Sequence, residues 1–221
     1  MNKWLPLGLA AAAVALTTGL AAAPSAGAAE TAQVSVIHGI PNTPVNVFVD
    51  GKSALANFKP GTVAGPLALP AGSHTVTIFP AADAKGTGSP VIKASASLEA
   101  GGNYSLIAHL SADSKPTLTP YANDVSTVAA GQARLVVRHT AAAPAVDVRA
   151  GGKVAFADLT NPKEAKADLP AGTISADVVL AGTGNVALGP AEQLGTIKRP
   201  PAWLLSSEYR MAAIDGEGEA L

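Results

Sequence analysis

"HGIPNTPVNVFVDGK", residues 38–52, and "HTAAAPAVDVRAGGK", residues 139–153, decide the fold. Each stretch opens on a histidine, passes a proline-bearing segment, enters a short apolar run and closes on Gly-Lys. The likeness extends outward on both sides. "QVSVIH" at 33–38 answers "ARLVVRH" at 133–139, and "LALPAGSHTVTI" at 67–78 answers "ADLPAGTISADV" at 167–178. The offset is 101 at the histidines and 100 at the "LPAG" segments, so the two stretches differ by one residue between those points. Spacing held over such a length is a sequence repeat, and a duplicated domain is its simplest cause.

Each repeat reads as β. Val34, Val36 and His38 share one parity and Gln33, Ser35 and Ile37 the other. Successive side chains on a strand face opposite ways, so this pattern predicts a half-buried strand. Leu135, Val137 and His139 repeat the parity, with Arg134 and Arg138 predicted on a polar face. Asp50-Gly51 after "VNVFV" predicts a tight hairpin whose two turn positions have positive φ. Proline and glycine in "LPAG" at 69–72 predict a second turn. No segment of the first repeat sustains a 3.6-residue period. Short strands with closely spaced turn signals predict an all-β sandwich.

The N-terminus combines a positive "MNK", an apolar run and the small residues "AGA" at 26–28, the three-part pattern of a secretory signal peptide. The expected organisation is a signal peptide at 1–28, a first β-sandwich repeat at 29–124, a linker at 125–131, a second, partial β-sandwich repeat at 132–190 and a divergent C-terminal tail at 191–221. The tail departs from the repeat where a counterpart of "GGNYSLIAHLSADSKPTLTPYAND" is due. Eight of its 31 residues are charged, and "KRPP" would interrupt a strand, because proline lacks the ladder donor. The favoured expectation is that the second repeat lacks its closing strands, through a shifted frame or truncation; the alternative is a divergent C-terminal element with its own purpose.

Composition narrows the function. The net charge of −1 gives no electrostatic footprint for nucleic acid, and no membrane anchor is expected once the signal is cleaved. The absence of cysteine excludes disulfides, thiolate catalysis and thiolate metal sites. No zinc-protease, EF-hand, P-loop or nucleophile-elbow string occurs. No cofactor, metal or catalytic residue is assigned.

The binding candidates are His38 and His139, each eight residues before a polar residue, Asn46 or Asp147. One His and one carboxylate fall short of the three or four protein ligands a metal centre normally uses. The favoured reading is structural: a buried imidazole bonded to a neighbouring polar side chain or to backbone, pinning a loop to the sheet. His74 and His109, in other strands, read as ordinary strand histidines. The polar run "AADAKGTGSPV" at 81–91 reads as a surface loop at a sandwich end, where such folds commonly bind.

At "VSVIHGIPNTPVNVFVDGK" followed by "LPAGSHTVTIFPA" the chain resembles the bacterial domain of unknown function family 4397. Members carry a "V-V-H-A-S-P-D-A-P-x-V-D-V-Y-V-D-G" line and then an "L-P-A-G" turn, usually in exported proteins and often in tandem. This chain departs by one residue between His38 and Val47, has Asn46 where the family usually has aspartate, and has "TAAAP" in the second repeat for "ASPDAP". The resemblance implies tandem exported immunoglobulin-like sandwiches and no assigned activity. The expected function is a non-catalytic, secreted, cell-surface or cell-wall-associated binding or structural module. Its expected partner is a cell-wall polymer or a surface or secreted protein. The alternative is a secreted hydrolase or an accessory subunit of one. Scarce aromatics, 4% of the chain, leave few platforms for stacking on sugars.

Overall fold

The computed structural model describes residues 30–188 and the backbone of two further strands, Ala202–Leu205 and Met211–Ile214. The signal peptide expected at 1–28 and the "KRPP" segment lie outside the described residues. The protein is all-β, with no helix among the described residues.

Eight strands come first: β1 (Thr31–His38), β2 (Val45–Val49), β3 (Lys52–Phe58), β4 (Val63–Pro70), β5 (Gly72–Pro80), β6 (Ile92–Leu98), β7 (Asn103–Leu110) and β8 (Pro116–Ala122). They form two four-stranded sheets, β4-β1-β7-β8 and β3-β2-β5-β6, consistent with a sandwich. Asp50 and Gly51 turn β2 into β3 with φ of 51° and 76°, as the sequence predicts. The "LPAG" turn carries the chain from β4 in one sheet to β5 in the other. Alternate residues meet between the sheets: Val34 and Val36 from β1, Val47 from β2, Val76 and Ile78 from β5, Leu106 from β7. Burial of branched side chains against a facing sheet is the main stabilising term, about 1.5–3 kcal/mol for each one fully buried.

The second group is β9 (Gln132–His139), β10 (Val146–Ala150), β11 (Lys153–Leu159), β12 (Glu164–Pro170), β13 (Ala176–Leu180), β14 (Val186–Leu188), β15 (Ala202–Leu205) and β16 (Met211–Ile214). Its sheets, β12-β9-β15-β16 and β11-β10-β13-β14, repeat the order of the first unit. β15 runs parallel to β9, as β7 runs parallel to β1. The expectation that the closing strands are missing is therefore corrected. The tail supplies β15 and β16 at those positions, as four-residue strands where β7 and β8 have eight and seven. The repeat was lost in sequence there, but strand pairing runs through backbone groups that any non-proline residue supplies.

The half-buried expectation for β1 and β9 also changes. Ser35 and Ile37, on the outer face of β1, are buried, and so are Arg134, Val136 and Arg138 on the outer face of β9. The outer face of β4-β1-β7-β8 carries an apolar cluster of Ile37, Ile107 and Tyr121, with Val63 against it. Contacts from the second unit reach this face: Tyr121 donates its hydroxyl hydrogen to the Pro162 carbonyl at 2.7 Å, and the Arg138 guanidinium lies 4.5 Å from the Tyr121 ring centroid. The arginine face predicted to be polar is thus a joint between two units, not a solvated surface.

Candidate functional site

The repeated histidines sit at the ends of β1 and β9, on the inward parity, and are fully buried. His38 donates from Nε2 to the Thr43 carbonyl at 2.8 Å, and its Nδ1 accepts the Ile40 N–H at 3.3 Å. These two bonds close the 39–44 loop over the ring. They also define a neutral imidazole, since one nitrogen donates and the other accepts. Burial pushes the His38 pKa down, with the Thr43 bond opposing. His139 makes the corresponding bond, Nε2 to the Pro144 carbonyl at 3.0 Å, and burial again lowers its pKa. Its Nδ1 has no hydrogen-bond partner among the described residues.

Asn46 and Asp147 do not meet the histidines. Each fills an irregularity of the neighbouring strand pair, where the register shifts between Val45 and Val47 and between Val146 and Val148. Asn46 Oδ1 accepts the Asn57 N–H at 2.8 Å, and Asp147 Oδ1 accepts the Asp158 N–H at 2.8 Å. Asn57 and Asp158 have φ of 49° and 52°, in the left-handed region where Asn and Asp are the best-tolerated non-glycine residues. The remaining atoms reach opposite kinds of partner. Asn46 Nδ2 donates toward the carbonyls of Pro80, Ala81 and Asp83 at 3.3, 3.1 and 3.0 Å. Asp147 Oδ2 instead accepts the Gly182 N–H at 3.1 Å. The first loop presents carbonyls and the second an N–H, which is why one position takes an amide and the other a carboxylate.

The 81–91 loop is held by this amide and by Asp83, whose carboxylate accepts Gly88 N–H at 2.8 Å and Thr87 N–H at 3.3 Å. Gly86, with φ of 64°, lies against the Phe48 ring, 2.9 Å from where a Cβ would stand. Phe48 and Phe79 meet edge to face at 5.4 Å under it and are buried. The predicted surface loop therefore covers an aromatic pair.

Two groupings were missed in sequence. His74 donates from Nδ1 to Asp50 Oδ2 at 2.6 Å and from Nε2 to the Pro70 carbonyl at 2.7 Å. Acceptors on both nitrogens favour the imidazolium. The Pro70 carbonyl and then Asp50 raise the His74 pKa, while the Thr75 N–H and His74 lower that of Asp50. Asp50 is remote in sequence and arrives through the hairpin. The second grouping is the joint. Arg138 donates to Asn123 Oδ1 at 2.7 Å and to Glu164 Oε2 at 2.9 Å. Arg134 pairs with Asp168 at 2.8 Å and Asp124 at 2.7 Å, and Lys166 reaches Asp124 at 2.8 Å. The Lys166 ammonium and Ser126 donors hold the Asp124 carboxyl well below its usual range. The alternating Arg134 and Arg138 were the visible signal, but alternation alone cannot tell a wet face from a covered one.

Among the described residues no group of three or more His, Asp or Glu side chains could hold a metal ion. No helix among them is long and apolar enough to cross a membrane. The polar groups described close loops and join sheets: the protein is all-β, and its strand-end histidines bond its own backbone. A family model described as "Domain of unknown function (DUF4397)" matches residues 32–149, more than half of the 221-residue chain, and the chain belongs to that family. The match runs from β1 through β10. No curated protein matches the chain.

Proposed function

We propose that the chain is an exported, non-catalytic binding or structural module of the cell surface or wall, built from two tandem immunoglobulin-like sandwiches. Residues 1–28 are its cleaved signal in this reading. The observation that carries it is the disposition of His38, Asn46, His139 and Asp147. All four are buried and turn their polar atoms to loops and strands of their own chain. A nucleophile, base or ligand set needs such atoms free to face a substrate. The shared strand order of the two units and the repeat at 38–52 and 139–153 support a duplication. Two modules on one polymer gain avidity over one.

The test is retention of residues 29–221 on isolated cell walls of the producing organism, washed at rising salt. Retention through high salt is expected of a wall module. Recovery in the supernatant would sink the wall reading and direct the search to secreted protein partners. Cutting the chain at the linker is a poor control, since it would uncover Ile37, Ile107 and Tyr121.

A further inference from the structure

Contacts across the joint fix how the two units stand. Arg134, near the start of β9, reaches Asp124 at 2.7 Å, just past the end of β8 and so beside the start of β7. Asn161 donates from Nδ2 to the Ala141 carbonyl, just past β9, at 2.6 Å and to the Leu110 carbonyl, at the end of β7, at 2.8 Å. β9 therefore runs in the same sense as β7, and hence as β1. The units stand side by side with equivalent loops at the same end. Loops 39–44, 59–62, 81–91 and 111–115 of the first unit open beside 140–145, 160–163 and 181–185 of the second. β1 begins, and the chain crosses between the units, at the other end.

Charge is divided between these two ends. Five of the six ion pairs among the described residues lie toward the crossing end, among them Asp50–His74, Arg134–Asp124 and Arg149–Asp177. The sixth, Arg138–Glu164, is in the joint. The unpaired Lys52 and Lys153 at the crossing end are matched there by Glu30 and Glu99. At the loop end, Lys59, Lys85, Lys115 and Lys163 stand on four different loops, all exposed and none in an ion pair with a described residue. The Asn161 bond to Leu110 sets the loop of Lys163 beside that of Lys115. The carboxylates near them are fewer. Asp113 and Asp158 are exposed, and Asp83 turns back to the Gly88 and Thr87 N–H groups of its own loop.

Resting on the reading of an exported wall module, we propose that the loop end is one composite docking face, shared by both units, for a linear polymer with repeated phosphate or carboxylate groups. Lysine meets such groups as a point charge on a flexible stem. None of the described aromatic side chains is exposed, so bases and neutral sugar rings find no stacking platform. Stacked sheets lie about 10 Å apart, so a chain must reach about 20 Å, two sheet spacings, to touch the loops of Lys85 and Lys163 at once. The face supplies the salt-sensitive part of wall retention; what holds at high salt is separate from it.

The test is fluorescence anisotropy of end-labelled polygalacturonate and polyphosphate of graded length with the purified 29–221 chain, with neutral dextran alongside. A polyanion should bind and dextran should not, and the tighter polyanion identifies the group recognised. Affinity should climb until the polymer spans about 20 Å, and fall at least about tenfold between about 50 and about 200 mM salt. Lys59→Gln, Lys85→Gln, Lys115→Gln and Lys163→Gln together should lower affinity at least about tenfold, while Lys52→Gln with Lys153→Gln at the crossing end should match the parent. No binding of either polyanion, equal binding of dextran, equal loss in the two variants, or tighter binding of single-stranded DNA of the same length would each overturn the proposal. Wall retention at low salt that survives the four substitutions would remove the face and leave the module reading. Lysine-dependent polyanion binding without wall retention would leave the face and remove the wall.

Discussion

Replacing Asn46 by aspartate restores the residue the family pattern usually has, and the structure says it is harmful. The Oδ1 bond to the Asn57 N–H survives the change. On the other side a carboxylate oxygen would face the carbonyls of Pro80, Ala81 and Asp83, where the amide now donates. An amide has two hydrogens, so at most two full bonds are lost, at about 1 kcal/mol each. The buried, unpaired charge adds several kcal/mol more, unless the carboxyl takes up a proton. A total of about 3–5 kcal/mol at pH 7 follows. Burial against the facing carbonyls raises the folded-state pKa above the unfolded value of about 3.9, so the penalty grows as pH rises from there and shrinks as it falls. Urea unfolding of parent and Asn46→Asp at pH 7 and pH 4, followed by circular dichroism, gives both numbers. A change under about 1 kcal/mol at pH 7, or an equal loss at both pH values, would refute this reasoning.

Three other outcomes follow from the same geometry. The His74 pKa is raised, so its pairing stabilises fully below about pH 6.5 and is lost as pH rises through the folded value; Asp50→Gly should reduce, without abolishing, the fall of the urea midpoint above about pH 6.5, because the Pro70 carbonyl still holds the ring and the other three histidines are already neutral there. Arg138→Ala removes the bonds to Asn123 and Glu164 and the Tyr121 contact; with Asn123 still bonded to Ser105 and Glu164 open to water, a loss of about 2 kcal/mol in urea unfolding is expected. Gly86→Ala puts a Cβ into the Phe48 ring at a φ of 64° and should lower stability by about 1–3 kcal/mol, read as a lower thermal midpoint.

Local features were legible because they follow from local chemistry. Asp50-Gly51 can take two positive φ values in succession, and β1 and β9 alternate with a period of two. The likeness of 38–52 to 139–153 is accompanied by the same order of strands in the sheets that follow each stretch. His38 and His139 bond the Thr43 and Pro144 carbonyls, while Asn46 and Asp147 hold other loops. What escaped depends on distant parts of the chain. Arg138 looks solvent-bound until Tyr121 and Asn123 are placed above it. Ala202–Leu205 has no sequence counterpart in β7, yet it pairs with β9 in parallel. Asp50 and His74 meet only because β2 and β5 are neighbours.

The claim that the histidines serve the scaffold is tested most directly by long-range ¹H–¹⁵N spectra of the four rings at pH 7, with and without zinc. The account predicts neutral rings protonated on Nε2 for His38 and His139, a doubly protonated His74, and no shift on adding zinc. Rapid tautomer averaging at His38 and His139, or their displacement by zinc, would mean that these rings are free to take a ligand and would contradict it.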